Sequence, residues 1–200
     1  MANWCDNYME ITGSSDEIAR FKRTCVVFAA EQAHLDFDAI VPVPGILTQK
    51  AFDWACEHWG TDRWPWDFEV IRDEPNSYEC KFVTAWTPPV GIWRKLGEMF
   101  PTLEFSLSGF EPLMDFAFRG TIRDGKLELL DVPLIWKTVD PKTGKTVSGT
   151  REEIDAVLGE RGGWASARAG RSEREAGNHR HEMSGSEAAA RERRRSDCPF

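Results

Sequence analysis

The pattern of apolar and polar positions first resolves into a strand over Met1–Thr12, closed by Gly13. The period then changes. Ile18, Phe21 and Cys25 fall at i, i+3 and i+7, which predicts a helix to about Cys25. Ser14 and Glu17 stand where a capping box would close its first turn. Val26–Ala30 fits either a continuation of that helix or a new buried segment, because a short apolar run has no period of its own. From Leu35 to Pro44 apolar residues alternate with acids and end in two prolines, which predicts an edge or an extended connector. Thr48 is placed to cap a helix reaching Trp59, with Ala51, Phe52, Ala55, Cys56 and Trp59 on one side and Gly60 as its stop.

Two strands follow, Trp66–Ile71 and Tyr78–Trp86, joined by the turn Asp73–Ser77. Pro88 and Pro89 open a helix whose stripe is Trp93, Leu96 and Phe100. Leu103, Phe105 and Leu107 alternate with Glu104, Ser106 and Ser108, a half-buried strand. Phe116–Ile122 and Leu127–Val132 flank Asp124-Gly125, a hairpin signal. A further short hairpin, Ile135–Val139 with Lys145–Val147, and a helix capped by Thr150 and Glu153 complete the folded part. The order strand, helix, insertion, strand, strand, helix, strand predicts an α+β fold. It is a ferredoxin-like (split βαβ) antiparallel sheet with helices on one face and an added C-terminal hairpin. The insertion after the first helix is read as about 35–59 and the domain as 1–159.

Composition changes the picture at residue 160. The chain carries a net charge of −8, yet from Glu160 onward nine Arg stand against seven acids, so residues 1–159 carry −10. An acidic domain is a poor match for a phosphate backbone, which recruits Lys and Arg to displace counterions. Nucleic acid is therefore not expected to bind the domain, and only weakly the Arg-rich stretch Arg191–Arg195. Residues 160–200 are rich in Arg, Glu, Ala and Gly and poor in large apolar side chains, which predicts a disordered tail. The cysteines (Cys5, Cys25, Cys56, Cys80 and Cys198) are odd in number and widely spaced, and read as buried, reduced thiols. No apolar run reaches the roughly 20 residues of a membrane span. A soluble protein of the cytoplasm is expected, with no membrane partner.

No catalytic signature is present. Thr143-Gly-Lys-Thr146 lacks the earlier glycine of a phosphate loop, since Val139 occupies that place, and reads as a turn. His179, His181 and Glu182 lie in the tail without a third ligand at helical spacing, and neither a metal site nor a cofactor is predicted. His58 reads as a helix C-terminal residue favoured by the dipole. Tryptophan is the exception: four of the nine fall between Trp54 and Asp67. The candidate binding residues are Asp62, Arg63, Trp64, Trp66 and Asp67, where a guanidinium could stack on an indole and hold a carboxylate together. Trp59 and Trp86 are expected in the core, and Arg63 and Trp64 facing solvent. The open sheet face at Glu104, Ser106 and Ser108 is the fallback surface.

Met1-Ala-Asn-Trp-Cys-Asp-Asn7, an Ile-Thr-Gly strand end, His58-Trp-Gly-Thr61 with Asp67 nearby, and Ala85-Trp-Thr-Pro-Pro89 together resemble the YubB-like (DUF1281-type) family of phage and plasmid proteins. The resemblance covers about residues 1–132 and implies a ferredoxin-like domain of mobile-element origin. Where the family pattern runs Asn-Trp-Gly-Thr-Lys-Trp-Asp, this chain has His58 for the Asn and Asp62–Asp67 in place of Lys-Trp-Asp. No catalytic mechanism comes with the resemblance. The preferred function is a non-enzymatic interaction protein that modulates a host or defence macromolecule through protein–protein contacts. The alternative is a small enzyme or ligand-binding module using the Trp-rich cleft, with Asp62 or Asp67 as acid or base.

Overall fold

The computed structural model describes residues 3–29, 32–45, 49–158 and 168–170. Strand β1 (Trp4–Thr12) leads into helix α1 (Ser15–Cys25), whose buried residues Ile18, Phe21 and Cys25 are those of the predicted stripe. Only half of the capping box forms. Ser14 accepts from the Glu17 amide, but the Glu17 carboxylate turns to Arg20 at 2.8 and 2.9 Å and to Thr102 at 3.2 Å. A guanidinium fork is a stronger partner for a carboxylate than one backbone amide.

The insertion begins earlier than the sequence suggested. Val26 leaves the helix and starts β2 (Val26–Ala29), which pairs with β3 (Gln32–Leu35) as a small hairpin. The stretch after Leu35 is no plain connector either. Asp36 caps a single helical turn, α2 (Phe37–Ile40), accepting from the amides of Asp38 and Ala39 at 3.0 and 3.2 Å. Phe37 and Ile40 are both buried, so tertiary packing holds a turn that the following prolines seemed to forbid. Helix α3 (Gln49–His58) ends as predicted at Gly60, whose φ is +89°. Its cap at Thr48 lies outside the described residues.

Strands β4 (Trp66–Glu74) and β5 (Ser77–Ala85) pair as neighbours, and helix α4 (Val90–Met99) buries Trp93, Leu96 and then Phe100 completely. Strand β6 (Glu104–Glu111), β7 (Phe116–Arg123) and β8 (Lys126–Val132) finish a sheet of order β4-β5-β1-β6-β7-β8. Every pairing in it is antiparallel. Its first four strands, with β1 between β5 and β6, have the order of a ferredoxin-like sheet, and the fold is of that α+β class. The β7–β8 turn takes φ of +50° at Asp124 and +73° at Gly125, as the Asp-Gly signal required.

One face of the sheet is dry. Cys5, Met9, Ile11, Tyr78, Cys80, Phe82, Phe105 and Leu107 meet α1 and α4 there. On the other face a small module covers one end. It consists of β9 (Ile135–Val139), β10 (Thr146–Gly149), helix α5 (Arg151–Leu158) and β11 (Arg168–Gly170). Leu134, Trp136 and Ile154 pack with Ala117 into a second core, supported by Phe110 and Val132. Thr150 and Glu153 do form a reciprocal capping box. Asp140 holds the Thr143–Thr146 segment as a turn by accepting from Lys142 N and Thr143 Oγ1. Strand β11 falls inside the stretch read as a structureless tail. It pairs with β9 through its backbone, which needs no apolar side chains and so leaves no mark in composition. The rest of residues 160–200, with Trp164, His179, His181, Glu182, Arg191–Arg195 and Cys198, lies outside the described residues.

Candidate functional site

The motifs that carried the resemblance converge at one end of the sheet. Asn7 is wholly buried on β1 and donates Nδ2 to Thr84 Oγ1 and to the Cys5 carbonyl, both at 2.9 Å. Thr84 Oγ1 donates onward to the Thr87 carbonyl at 2.8 Å, Thr87 Oγ1 donates to the Gly60 carbonyl, and Thr61 Oγ1 to the Ala85 carbonyl at 2.9 Å. Gly91 lies so close to the end of α3 that its amide reaches the Trp59 carbonyl at 3.0 Å. These bonds tie β1, the end of α3, β5 and the start of α4 together.

Trp86 sits at the centre of this knot, and there the structure departs from expectation. It is not core: its relative exposure is 40 %. Its φ is +66°, in the left-handed region that a bulky residue avoids. Its amide is held by the Asn3 carbonyl at 2.8 Å, and the amide of Thr87 by the Ala85 carbonyl at 2.7 Å. Such a conformation costs on the order of 1–3 kcal/mol and persists only where its surroundings enforce it. Here the enforcing bonds come from Asn3, Gly60 and Thr84, and the outcome is an indole turned to solvent.

The sequence-predicted residues fall into two groups on opposite faces of β4. Asp62 and Arg63 form a bidentate pair at 2.7 and 2.8 Å between adjacent residues. Trp64 is half-buried. Its Nε1 donates to Asp38 at 2.7 Å, and its ring meets Trp59 edge-on at 5.3 Å. Trp59 is fully buried as expected, donating to the Val41 carbonyl at 2.8 Å. Trp66, opposite Val83, belongs to the other sheet face, where it meets Trp4 edge-on at 4.2 Å. Asp67 is exposed with φ of +50°.

Asp62 and Trp64 line a shallow cleft with Val43, Ala51, Phe52, Ala55 and Trp59. It opens to solvent and has room between its walls for about one water molecule. Pockets that enclose small-molecule ligands run to roughly 300–1,000 Å³. The α3 stripe is narrower than predicted: Ala51, Ala55 and Trp59 are buried, whereas Phe52 and Cys56 are exposed. Trp54 takes part of their place, meeting Trp59 at 6.1 Å and stacking on the exposed His58 at 4.2 Å. Cys5, Cys25 and Cys80 are buried, and burial pushes all three thiols up, Cys25 to about 12. Among the described residues no group of His, Cys, Asp or Glu is placed to hold a metal ion, and no helix is long and apolar enough to cross a membrane.

No protein-family profile matches the chain, and no curated protein is similar to it in sequence. Among solved structures, the crystal structure of the protein Api92 from Yersinia pseudotuberculosis, of the family DUF1281, is similar with a TM-score of 0.46. The identity is 12 %, and the match covers 66 % of this chain and 98 % of that one.

Proposed function

We propose that this is a non-enzymatic interaction protein of a phage or plasmid. It acts in the cytoplasm of a bacterial host by binding a host or defence protein. The observation that carries the reading is Trp86. An indole that would be less strained as glycine is held in the left-handed region and 40 % exposed by bonds from separate parts of the chain. Tryptophan is enriched among the few residues that dominate binding at protein interfaces. A net charge of −10 over residues 1–159 favours a basic protein surface over nucleic acid. The mobile-element origin rests on the motif resemblance at Asn3–Asn7, His58–Thr61 and Ala85–Pro89.

The test is Trp86→Gly. Glycine accepts the same backbone conformation, so relief of strain should offset the loss of the ring's covered part. Thermodynamic stability should stay within about 1 kcal/mol of the parent. Retention of a host protein on the immobilised chain, compared quantitatively between parent and variant, should fall at least tenfold. Equal retention by both would remove Trp86, and with it this reading.

A further inference from the structure

Trp86 is not alone at its end of the sheet. Strand β6 ends at Glu111, one residue past the Phe110–Asp6 pair, so the loop that follows leaves the sheet at the end where Asn3 holds Trp86. Strands β5 and β6 flank β1, and two strand spacings of ~4.8 Å set their ends roughly 10 Å apart. In that loop Leu113 is 68 % exposed and Met114 55 %. Their outward position is fixed from beneath. Glu111 is buried, and its carboxylate accepts from the amides of Leu113, at 3.1 Å, and Met114. Asp115 closes the turn with φ of +56° and accepts from Trp136 Nε1 at 2.8 Å. A carboxylate is buried only where hydrogen bonds satisfy it. Glu111 therefore does for Leu113 and Met114 what Asn7 and Thr84 do for Trp86: a buried polar side chain holds the backbone that turns an apolar one to solvent.

Resting on the interaction reading above, we infer that Leu113 and Met114 form one docking surface with Trp86. Its occupant is a protein surface with an apolar depression at its centre and Lys or Arg at its rim. Side chains held in place before docking lose little freedom on binding, and an apolar centre inside a charged rim is the usual anatomy of an interface. The sign of the rim selects the occupant. The segments framing this end, 3–6, 59–67, 85–89 and 111–116, carry Asp6, Asp62, Asp67, Glu111 and Asp115 against Arg63. From α5, Arg151 comes within 3.8 Å of Asp115. The remaining surplus of carboxylates repels a second copy of this acidic chain, and equally an anionic lipid surface, while it steers a basic protein into place.

The experiment is photocrosslinking from the full chain in host lysate, with p-benzoylphenylalanine at Leu113. The control carries it at Leu130, which is as exposed, at 69 %, but lies on β8, three strands from β1. Both are made in the parent and in Trp86→Gly. The label at Leu113 should join to one polypeptide that the label at Leu130 does not. The product should fall at least tenfold in Trp86→Gly, and severalfold when salt rises from ~0.1 to ~0.5 M. Leu113→Ser combined with Met114→Ser should leave the thermal midpoint unchanged, since both side chains are already in water, and lower retention of the same polypeptide at least tenfold. The same product from both labels, a product that persists in Trp86→Gly or ignores salt, or full retention by the double Ser variant overturns the inference. Retention by the unlabelled parent and Trp86→Gly decides the interaction reading separately. Where it depends on Trp86, a label at Leu113 that yields no product strikes this inference alone.

Discussion

A single hydroxyl connects the buried and the exposed parts of the candidate site. Thr84 Oγ1 receives Asn7 Nδ2 and gives its own proton to the Thr87 carbonyl, so the backbone around Trp86 depends on a side chain that is itself wholly buried. Thr84→Val keeps the shape and removes both bonds. Asn7 Nδ2 is then left with the Cys5 carbonyl at 2.9 Å and the Phe82 carbonyl at a long 3.5 Å, which should cost about 1–3 kcal/mol, read as a lower urea midpoint at unchanged slope. The same substitution should free the Trp86 loop, seen as faster hydrogen exchange at the amides of Trp86 and Thr87. None of this was legible from the chain. Tryptophan followed by Thr-Pro-Pro reads as the end of a core strand, because a left-handed conformation at a non-glycine residue is imposed by bonds from Asn3 and Gly60, which are remote in sequence. Gly60 itself was legible, since a glycine that ends an amphipathic helix announces its own positive φ.

At the scale of elements, α3 and α4 meet end to end, and the contact is made by a residue without a side chain. A Cβ on Gly91 would lie 1.8 Å from the His58 carbonyl oxygen and 2.7 Å from its carbon. Gly91→Ala therefore cannot be absorbed by a rotamer change, because the obstacle is backbone. It should cost about 1–3 kcal/mol or more, with a correspondingly lower thermal midpoint. It should also disturb the cleft, whose Trp59 wall is the residue that accepts from Gly91 N. The hairpins and long helices were legible because their signals are local: Asp124-Gly125, the Trp93–Leu96–Phe100 stripe, the Thr150–Glu153 box. The β2–β3 hairpin was not, because Val26–Ala29 is a run of apolar residues without alternation and only its pairing with Gln32–Leu35 identifies it. The cleft was hidden for a related reason. Ala51 and Ala55 have the spacing of any core stripe, and what makes them a floor is that Phe52 turns outward.

For the whole molecule, three thiols sealed in the main core make alkaline pH a probe of integrity. Burial raises the thiols of Cys5, Cys25 and Cys80, and also the phenol of Tyr78. In the unfolded chain a cysteine ionises near pH 8.5, so above that value the unfolded state sheds protons that the folded state keeps. The stabilisation is therefore complete below about pH 8.5 and is lost as pH rises towards the folded value, about 12 for Cys25. Urea midpoints should be level from pH 7 to 8 and fall progressively from pH 9 to 11. Cys25→Ala, although less stable throughout, should show a shallower fall. Cys56, exposed on α3, should be the thiol among the described residues that reacts with a maleimide in the native state.

The position of β1 in the sheet also governs when this protein can acquire its structure during synthesis. Strand β1 is synthesised well before the two strands that flank it, β5 and β6, with Trp4 opposite Ala85 and Asp6 opposite Phe110. Until both partners have emerged, at least one of its edges stays open, and contacts of such long sequence separation form slowly. Translation that stalls before Ser77 leaves a chain holding β1 and α1 with neither sheet neighbour available, a species suited to chaperone capture or proteolysis. Synthesis from Ser77 to Glu111 supplies β5 first and β6 after α4, so the nascent chain crosses from vulnerable to protected over that stretch of translation.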